Sequence, residues 1–189
     1  GTFAEDCAEK YQFTRQVQDD YALTSLSNAF KAQESGTFVN EIVEFSYKTR
    51  TGEVTISNDE QLAKANPEKI PHLKPVFRKN GTVTPANSSS ISDGAAALVL
   101  ASKSYASKNH LNIRARILGY ASHAQEPGWF TTAPIPAARK LLDQVGWAVQ
   151  DVDLWEVNEA FAVVPLAFMR DMGIVREKIN IHGGACSLG

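Results

Sequence analysis

The residues with the clearest chemical reach lie near the carboxyl end of the 189-residue chain. Asn158 stands in Trp155-Glu156-Val157-Asn158-Glu159-Ala160-Phe161-Ala162, and the Gly-rich run Ile181-His182-Gly183-Gly184-Ala185-Cys186-Ser187-Leu188-Gly189 follows one helix later. A carboxamide carries both a donor and an acceptor, so Asn158 has two uses. Its oxygen can accept the orphan N–H groups of a first helical turn, as an N-cap. Alternatively its NH2 can face a cleft and hold a water or a substrate oxygen, as oxyanion sites do. Two thiols, Cys7 and Cys186, are also present. A nucleophilic thiol needs an electropositive, accessible setting, and neither position offers one, so both read as small hydrophobes. No His/Cys/Asp spacing resembles a zinc site. Gly183-Gly184 with Gly189 lacks the Lys-Ser/Thr of a phosphate loop.

Residues 152–157 are short, rich in β-branched and large apolar types, and followed by the helix-period set Phe161, Val164, Phe168 and Met172. That pattern predicts a buried strand feeding a helix. Asn158 then falls at the strand's carboxyl end, where open α/β sheets place their ligands. Pro165 inside such a helix predicts a bend, because it cannot donate and clashes with the preceding turn.

Upstream, residues 3–11 form a short helical pattern with acids in the first turn. Thr14 reads as the N-cap of a long helix with an apolar face of Val17, Tyr21, Leu23, Ala29 and Phe30, ended by Ser35-Gly36. The period then changes to two through Ile42, Phe45 and Tyr47, with Thr51-Gly52 turning into Val54 and Ile56, which predicts a hairpin. Residues 58–69 read as polar and irregular, and Pro67, Pro71 and Pro75 as keeping their segment extended. Asn80-Gly81 is a tight-turn signal. By composition Asn87-Ser88-Ser89-Ser90 is a solvated loop. The small Ala95-Ala96-Ala97 allows close backbone approach ahead of Leu98-Val99-Leu100. A polar helix over 102–109 ends near a surface His110, and residues 116–121 read as a strand. Trp129 and Phe130 lie in a loop and are expected to pack against something. Pro134 and Pro136 pre-set a helix over 137–145 that stops at Gly146.

A net charge of −2, from 19 basic and 21 acidic residues, supplies no basic field for nucleic acid. No apolar run approaches a membrane span, and the amino end has no signal pattern. Two distant cysteines argue against a disulfide framework and for a reducing, cytoplasmic compartment. The absence of an initiator Met predicts a start inside a longer protein.

Several separated blocks, in order, resemble the thiolases, which make or cleave 3-ketoacyl-CoA. They are Gly1-Thr2-Phe3-Ala4-Glu5, Asn80-Gly81-Thr82-Val83-Thr84, Asn87-Ser88-Ser89, Asp93-Gly94-Ala95-Ala96-Ala97, Asn158-Glu159-Ala160-Phe161-Ala162 and the Gly183–Gly189 run. The resemblance covers nearly the whole chain. It implies an α/β fold with thiolase-like α-β-α-β-α layering, incomplete here. Residues 1–90 would be an α+β loop domain covering the CoA cleft, 91–124 the end of a first half and 125–189 the start of a second.

The implied activity is condensation of two acetyl-CoA into acetoacetyl-CoA and CoA, or the reverse thiolysis. Such chemistry needs a thiolate to carry one acyl group, a base for the α-proton of the other, and donors for two oxyanions. By the family pattern the nucleophilic Cys precedes this chain, a His would stand directly after Gly189, and a second Cys comes later. Of that set only Asn158 is present, which makes the chain an expected internal fragment, inactive by itself and with exposed apolar edges. The CoA and acyl contacts carried over are Ser89, Phe77, Ala160, Phe161, Phe130 and Lys64. Ser89 would meet the pantetheine arm, Ala160 and Phe161 the thioester end, and Lys64 the phosphates. Phe130 would shorten the acyl pocket, while Phe77 reads equally well as a core residue. In this pattern Cys186 replaces an ordinary apolar residue, and His182 replaces an Asn and makes a strand-end hydrogen bond. CoA enters as substrate and product, not as a resident cofactor. The whole protein would be a homodimer or homotetramer. The competing reading is a non-catalytic CoA- or lipid-binding module of the same shape.

Overall fold

In the computed structural model, which describes all residues Gly1–Gly189, helix α1 (Thr2–Tyr11) turns at Gln12 into α2 (Arg15–Glu34). Thr14 caps α2 as its sequence requires, its Oγ1 accepting from Val17 N at 3.2 Å. The face that α2 buries is only partly the expected one. Gln18, Asp19 and Ser25 go inside beside Tyr21, Ala22, Leu26 and Ala29, whereas Val17 is exposed and Leu23 and Phe30 are only partly covered. Burial of these residues is tolerated because each side chain finds at least one partner, although Gln18 Oε1 is left without one. Gln18 donates to Thr82 Oγ1 at 2.8 Å, Asp19 accepts from Asn87 Nδ2 at 3.0 Å, and Ser25 donates to Glu159 at 2.8 Å.

The hairpin forms as expected, β1 (Phe45–Thr49) pairing antiparallel with β2 (Gly52–Ile56), with Tyr47 opposite Val54. The next segment departs from expectation. Glu60–Lys64 is a short helix, α3, and Pro67–His72 is a 3-10 turn, not an extended run. Pro67 starts that turn, where no donor is needed, and the φ fixed by Pro71 is compatible with 3-10 geometry. Leu62 and Ile70 thereby reach Leu26 and Ala29 in a small apolar cluster.

Helices α4 (Lys103–Lys108) and α5 (Pro134–Val145) follow, α5 starting at its first proline. Then come α6 (Val163–Met172) and α7 (Ala185–Leu188). The main core joins α1, α5 and α6 through Ala4, Cys7, Leu142, Val163, Phe168 and Met172, and Val157 and Ile179 are buried in it. Because α6 begins at Val163, Pro165 sits in its first turn. The donor it lacks has no intrahelical acceptor there, so the expected bend has no cause.

Two expected strands do not form ladders. Residues 152–157 make a single parallel bridge, Trp155 with Ile179, fixed by Trp155 N to Lys178 O at 2.8 Å and Asn180 N to Trp155 O at 2.9 Å. Residues 116–121 make no backbone hydrogen bond at all, and Ile117 and Tyr120 are 68% and 88% exposed. A strand is stabilised by a neighbour that satisfies its N–H and C=O groups, and none stands beside this segment. No helix is long and apolar enough to cross a membrane.

Candidate active site

A loop stitched onto the Asn158 segment builds the site. Asn87 O accepts from Ala162 N at 2.9 Å, Ser88 bridges Phe161 antiparallel, and Ala160 O accepts from Ser89 N at 3.1 Å and Ser89 Oγ at 3.2 Å. The loop itself is held from within. Asn87 Oδ1 accepts from Thr84 N at 2.8 Å, Asn87 Nδ2 donates to Asp19 and to Thr82 O, both at 3.0 Å, and Ser88 Oγ donates to Thr84 O at 2.7 Å. Upstream, the buried Glu5 carboxylate accepts from Thr82 N, Thr82 Oγ1 and Val83 N, each at 2.9 Å. Composition suggests a solvated loop at 87–90, but two of its residues are buried and bonded.

Along this stitched edge runs a row of rings. Phe77 and Phe130 meet Phe161 edge to face at 6.2 and 6.4 Å, and Phe3 meets Phe130 at 6.5 Å. Phe77 lies over Gly1, where a Cβ would come within 2.1 Å of its ring. With 42% of its surface exposed, Phe77 is not a core residue, and Phe130, 41% exposed, packs against Phe3 and Phe161 as expected of a large ring in this segment. The structure thus brings Ser89, Ala160, Phe161, Phe77 and Phe130 together. Lys64 is not among them: it projects from α3, exposed, with Nζ 3.9 Å from Glu60.

Asn158 is exposed and caps nothing, since the N-cap of α6 is Ala162. Its neighbours Val157 and Glu159 are both buried. Successive side chains on extended backbone point to opposite sides, so Asn158 faces out. The cap use is removed and the outward carboxamide is left.

Glu159 is the residue that sequence reasoning missed. Fully buried, it accepts from Tyr21 Oη and Asn180 Nδ2 through Oε1, and from Ser25 Oγ and Cys186 N through Oε2. Its sequence signal was an acid flanked by Val157, Ala160 and Phe161 in a stretch expected to be buried, because a charged residue is almost never fully buried unpaired. Phe3 carried no such signal.

The remaining groups of the site are quiet. Burial and then the Glu159 charge push the Cys186 thiol well above its usual range, and the Sγ donates to Glu159 O at 3.7 Å. Burial likewise raises Cys7. Tyr21 is raised too, by burial first and Glu159 second. A thiol kept protonated is a poor nucleophile. His182 packs edge-on against Phe38 at 6.1 Å in place of the strand-end hydrogen bond expected of it.

The family model described as "Thiolase, N-terminal domain" matches residues 1–104, and "Thiolase, C-terminal domain" matches 111–189. An acetyl-CoA acetyltransferase from Arabidopsis thaliana is 48% identical over all of this chain and 48% of its own length. The crystal structure of the Bacillus anthracis acetyl-CoA acetyltransferase superimposes with a TM-score of 0.95 at 44% identity, covering 99% of this chain and 48% of that one. A thiolase from Ascaris suum, solved in complex with coenzyme A, matches with a TM-score of 0.92 at 40% identity over 99% of this chain and 48% of its own. The chain spans about half the length of the curated relatives it matches. The layering inferred from the signature blocks is therefore the α/β thiolase fold, and with both domain models matched in order the chain belongs to the thiolase family.

Proposed function

We propose that this chain forms the substrate-holding part of an acetyl-CoA C-acetyltransferase. The reaction joins two acetyl-CoA into acetoacetyl-CoA and CoA, or runs in reverse. A thiolate from residues outside these 189 attacks the first thioester carbonyl, the C–S bond breaks, and CoA leaves. A base removes the α-proton of the second acetyl group, the carbanion attacks the enzyme-bound acyl carbon, and the enzyme thiolate is released. Asn158 donates to the oxygen, or to a water on it, where negative charge develops. Ser89, Phe77, Ala160 and Phe161 hold the pantetheine arm and thioester, Phe130 limits the acyl end, and Lys64 serves the phosphates.

The observation that supports this reading is the stitching of Ser88-Ser89 onto Ala160-Phe161, which puts a serine loop, an aromatic edge and the Asn158 segment in one continuous stretch. CoA acts as substrate and product and no resident cofactor is needed. The full-length protein works as a homodimer or homotetramer, a matter for light scattering. Two free thiols fit a reducing compartment such as the cytoplasm. One relative, 42% identical, is named as mitochondrial, so cell fractionation should include that organelle.

The deciding experiment is Asn158→Ala in the full-length protein. Condensation should slow by about 10²-fold, the loss typical of an oxyanion donor, while CoA binding stays within about twofold. Unchanged turnover would take Asn158 out of the mechanism. CoA binding by a wild type with no turnover in either direction would favour a non-catalytic binding module.

A further inference from the structure

Of the buried carboxylates in this chain, Glu159 lies beside Asn158 and yet has no part in the reaction just described. We infer that Glu159 is a positioning residue for that reaction, locking the Asn158 segment and the Gly183–Cys186 turn into one fixed arrangement. The inference rests on the acyl-transfer reading above.

Its four donors come from three places in the chain. Tyr21 and Ser25 lie on α2, Asn180 precedes the Gly-rich run, and Cys186 N lies within it. The Gly-rich turn wraps the carboxylate closely: a Cβ on Gly184 would approach Glu159 Cδ to 2.4 Å, and one on Gly183, at φ +82°, would strike Ala29 Cβ at 2.6 Å. Only glycine fits both positions without displacing a neighbour. Asn180 is itself fixed, its Nδ2 donating to Val157 O at 2.7 Å and its Oδ1 accepting from Val157 N at 2.8 Å. Residues 157 and 159 are therefore both tied to the strand-like stretch that leads into the Gly-rich turn, and Asn158 between them has little freedom.

An ionised carboxylate is the only group of this size that accepts at both oxygens. A carboxamide there must turn its NH2 toward one pair of donors. Facing Oε1's partners it meets Asn180 Nδ2, which cannot reverse. Facing Oε2's partners it meets the Cys186 backbone N–H, which cannot reverse either. Hydroxyls at Tyr21 and Ser25 could adapt, but one rigid donor is lost in either orientation.

The test compares Glu159→Gln with Leu142→Ala in the full-length protein, assayed in the thiolysis direction at a temperature where both are folded. Leu142 is a core residue of α5 whose side chain carries no polar group and holds none of the Glu159 donors, so it reports generic destabilisation. We expect both to lower the unfolding midpoint. Only Glu159→Gln should lower kcat, roughly ten- to a hundredfold, as small misplacements of a reacting group do, with KM for acetoacetyl-CoA within about twofold. A kcat equal to that of Leu142→Ala would overturn the inference. Should Glu159→Gln fail to fold, Tyr21→Phe, which removes a single donor, takes its place: a severalfold lower kcat at unchanged KM supports the inference and a wild-type kcat overturns it. A wild type without turnover would instead bring down the acyl-transfer reading and this inference with it, and that is read from the wild type alone.

Discussion

Two pairs of segments, alike in their apolar and β-branched content, meet opposite fates. Residues 155–162 and 179–187 bury Val157, Ile179 and Asn180 and bond to each other and to α2. Residues 91–101 and 112–124 make no backbone hydrogen bond, and Leu98, Val99 and Tyr120 are 90%, 96% and 88% exposed. Hydrophobicity does not separate the two pairs. What separates them is where backbone donors find acceptors. In the ordered pair, side-chain oxygens stand in for a missing sheet neighbour: Glu159 takes Cys186 N, Ser25 takes Gly184 N, and Asn180 takes Val157 N. Nothing comparable faces 91–101. Order in this chain follows hydrogen-bond satisfaction, with apolar burial following behind it.

The strongest way to break that comparison is Glu159→Ala. It removes the acceptor of four donors in a fully buried site, two of which, the Cys186 N–H and one Asn180 N–H, cannot turn elsewhere and cost about 1–3 kcal/mol each when left unpaired. Relaxation will recover part of this, so a loss above about 3 kcal/mol is expected by urea unfolding. A loss under about 1 kcal/mol would mean that the side-chain acceptors are incidental.

Glu5→Ala makes the same kind of cut at a wetter place. Thr82 N and Val83 N lose their acceptor, but an open cleft of ≈ 400 Å³ lined in part by Glu5, Arg78, Gly81 and Thr82 lets water replace it. The expected loss is smaller, about 1–2 kcal/mol. Equal losses at Glu5 and Glu159 would show that burial depth does not govern these staples.

The same contrast explains what was legible in the sequence. Thr14's cap, the β1–β2 hairpin and the apolar period of α6 are local, so residue order suffices to read them. The buried face of α2 was partly misread because Gln18, Asp19 and Ser25 look solvent-facing until their partners at 82, 87 and 159 are known. Pro165 was misread because the start of α6 was placed too early, the cap being Ala162 and not Asn158. Residues 116–121 have a strand's composition, but a strand's existence depends on a neighbour that no local pattern supplies. For the site, the blocks around Ser89 and Asn158 were visible as motifs. Their union through Ala160 and Phe161 is a contact between segments some seventy residues apart.

Phe130→Ala probes the ordered side without touching a staple. The ring is half exposed and braced by Phe3 and Phe161, so its loss should leave stability nearly intact and open the acyl end. In the full-length protein, the kcat/KM for a longer 3-ketoacyl-CoA relative to acetoacetyl-CoA should rise by about tenfold, the lower end of what one hydrophobic contact discriminates. An unchanged ratio would mean that Phe130 does not limit the chain length.

The smallest effect is expected at Val99→Lys in the 189-residue chain. Val99 is 96% exposed and its segment carries no backbone hydrogen bond, so a lysine there removes no contact and strands no donor. The change in unfolding free energy should stay within about 0.5 kcal/mol, as at surface sites generally. Amides of 91–101 should exchange with solvent nearly unprotected, while those of Val157, Asn180 and Cys186 exchange slowly. A larger loss would reveal that 91–101 is covered in solution. The cover would be either another copy, since an exposed apolar edge of this kind pairs readily with its own copies, or another part of the same chain. In the first case the loss would grow with protein concentration, whereas an intramolecular cover would leave it constant, and that dependence would redraw the line between the two pairs of segments.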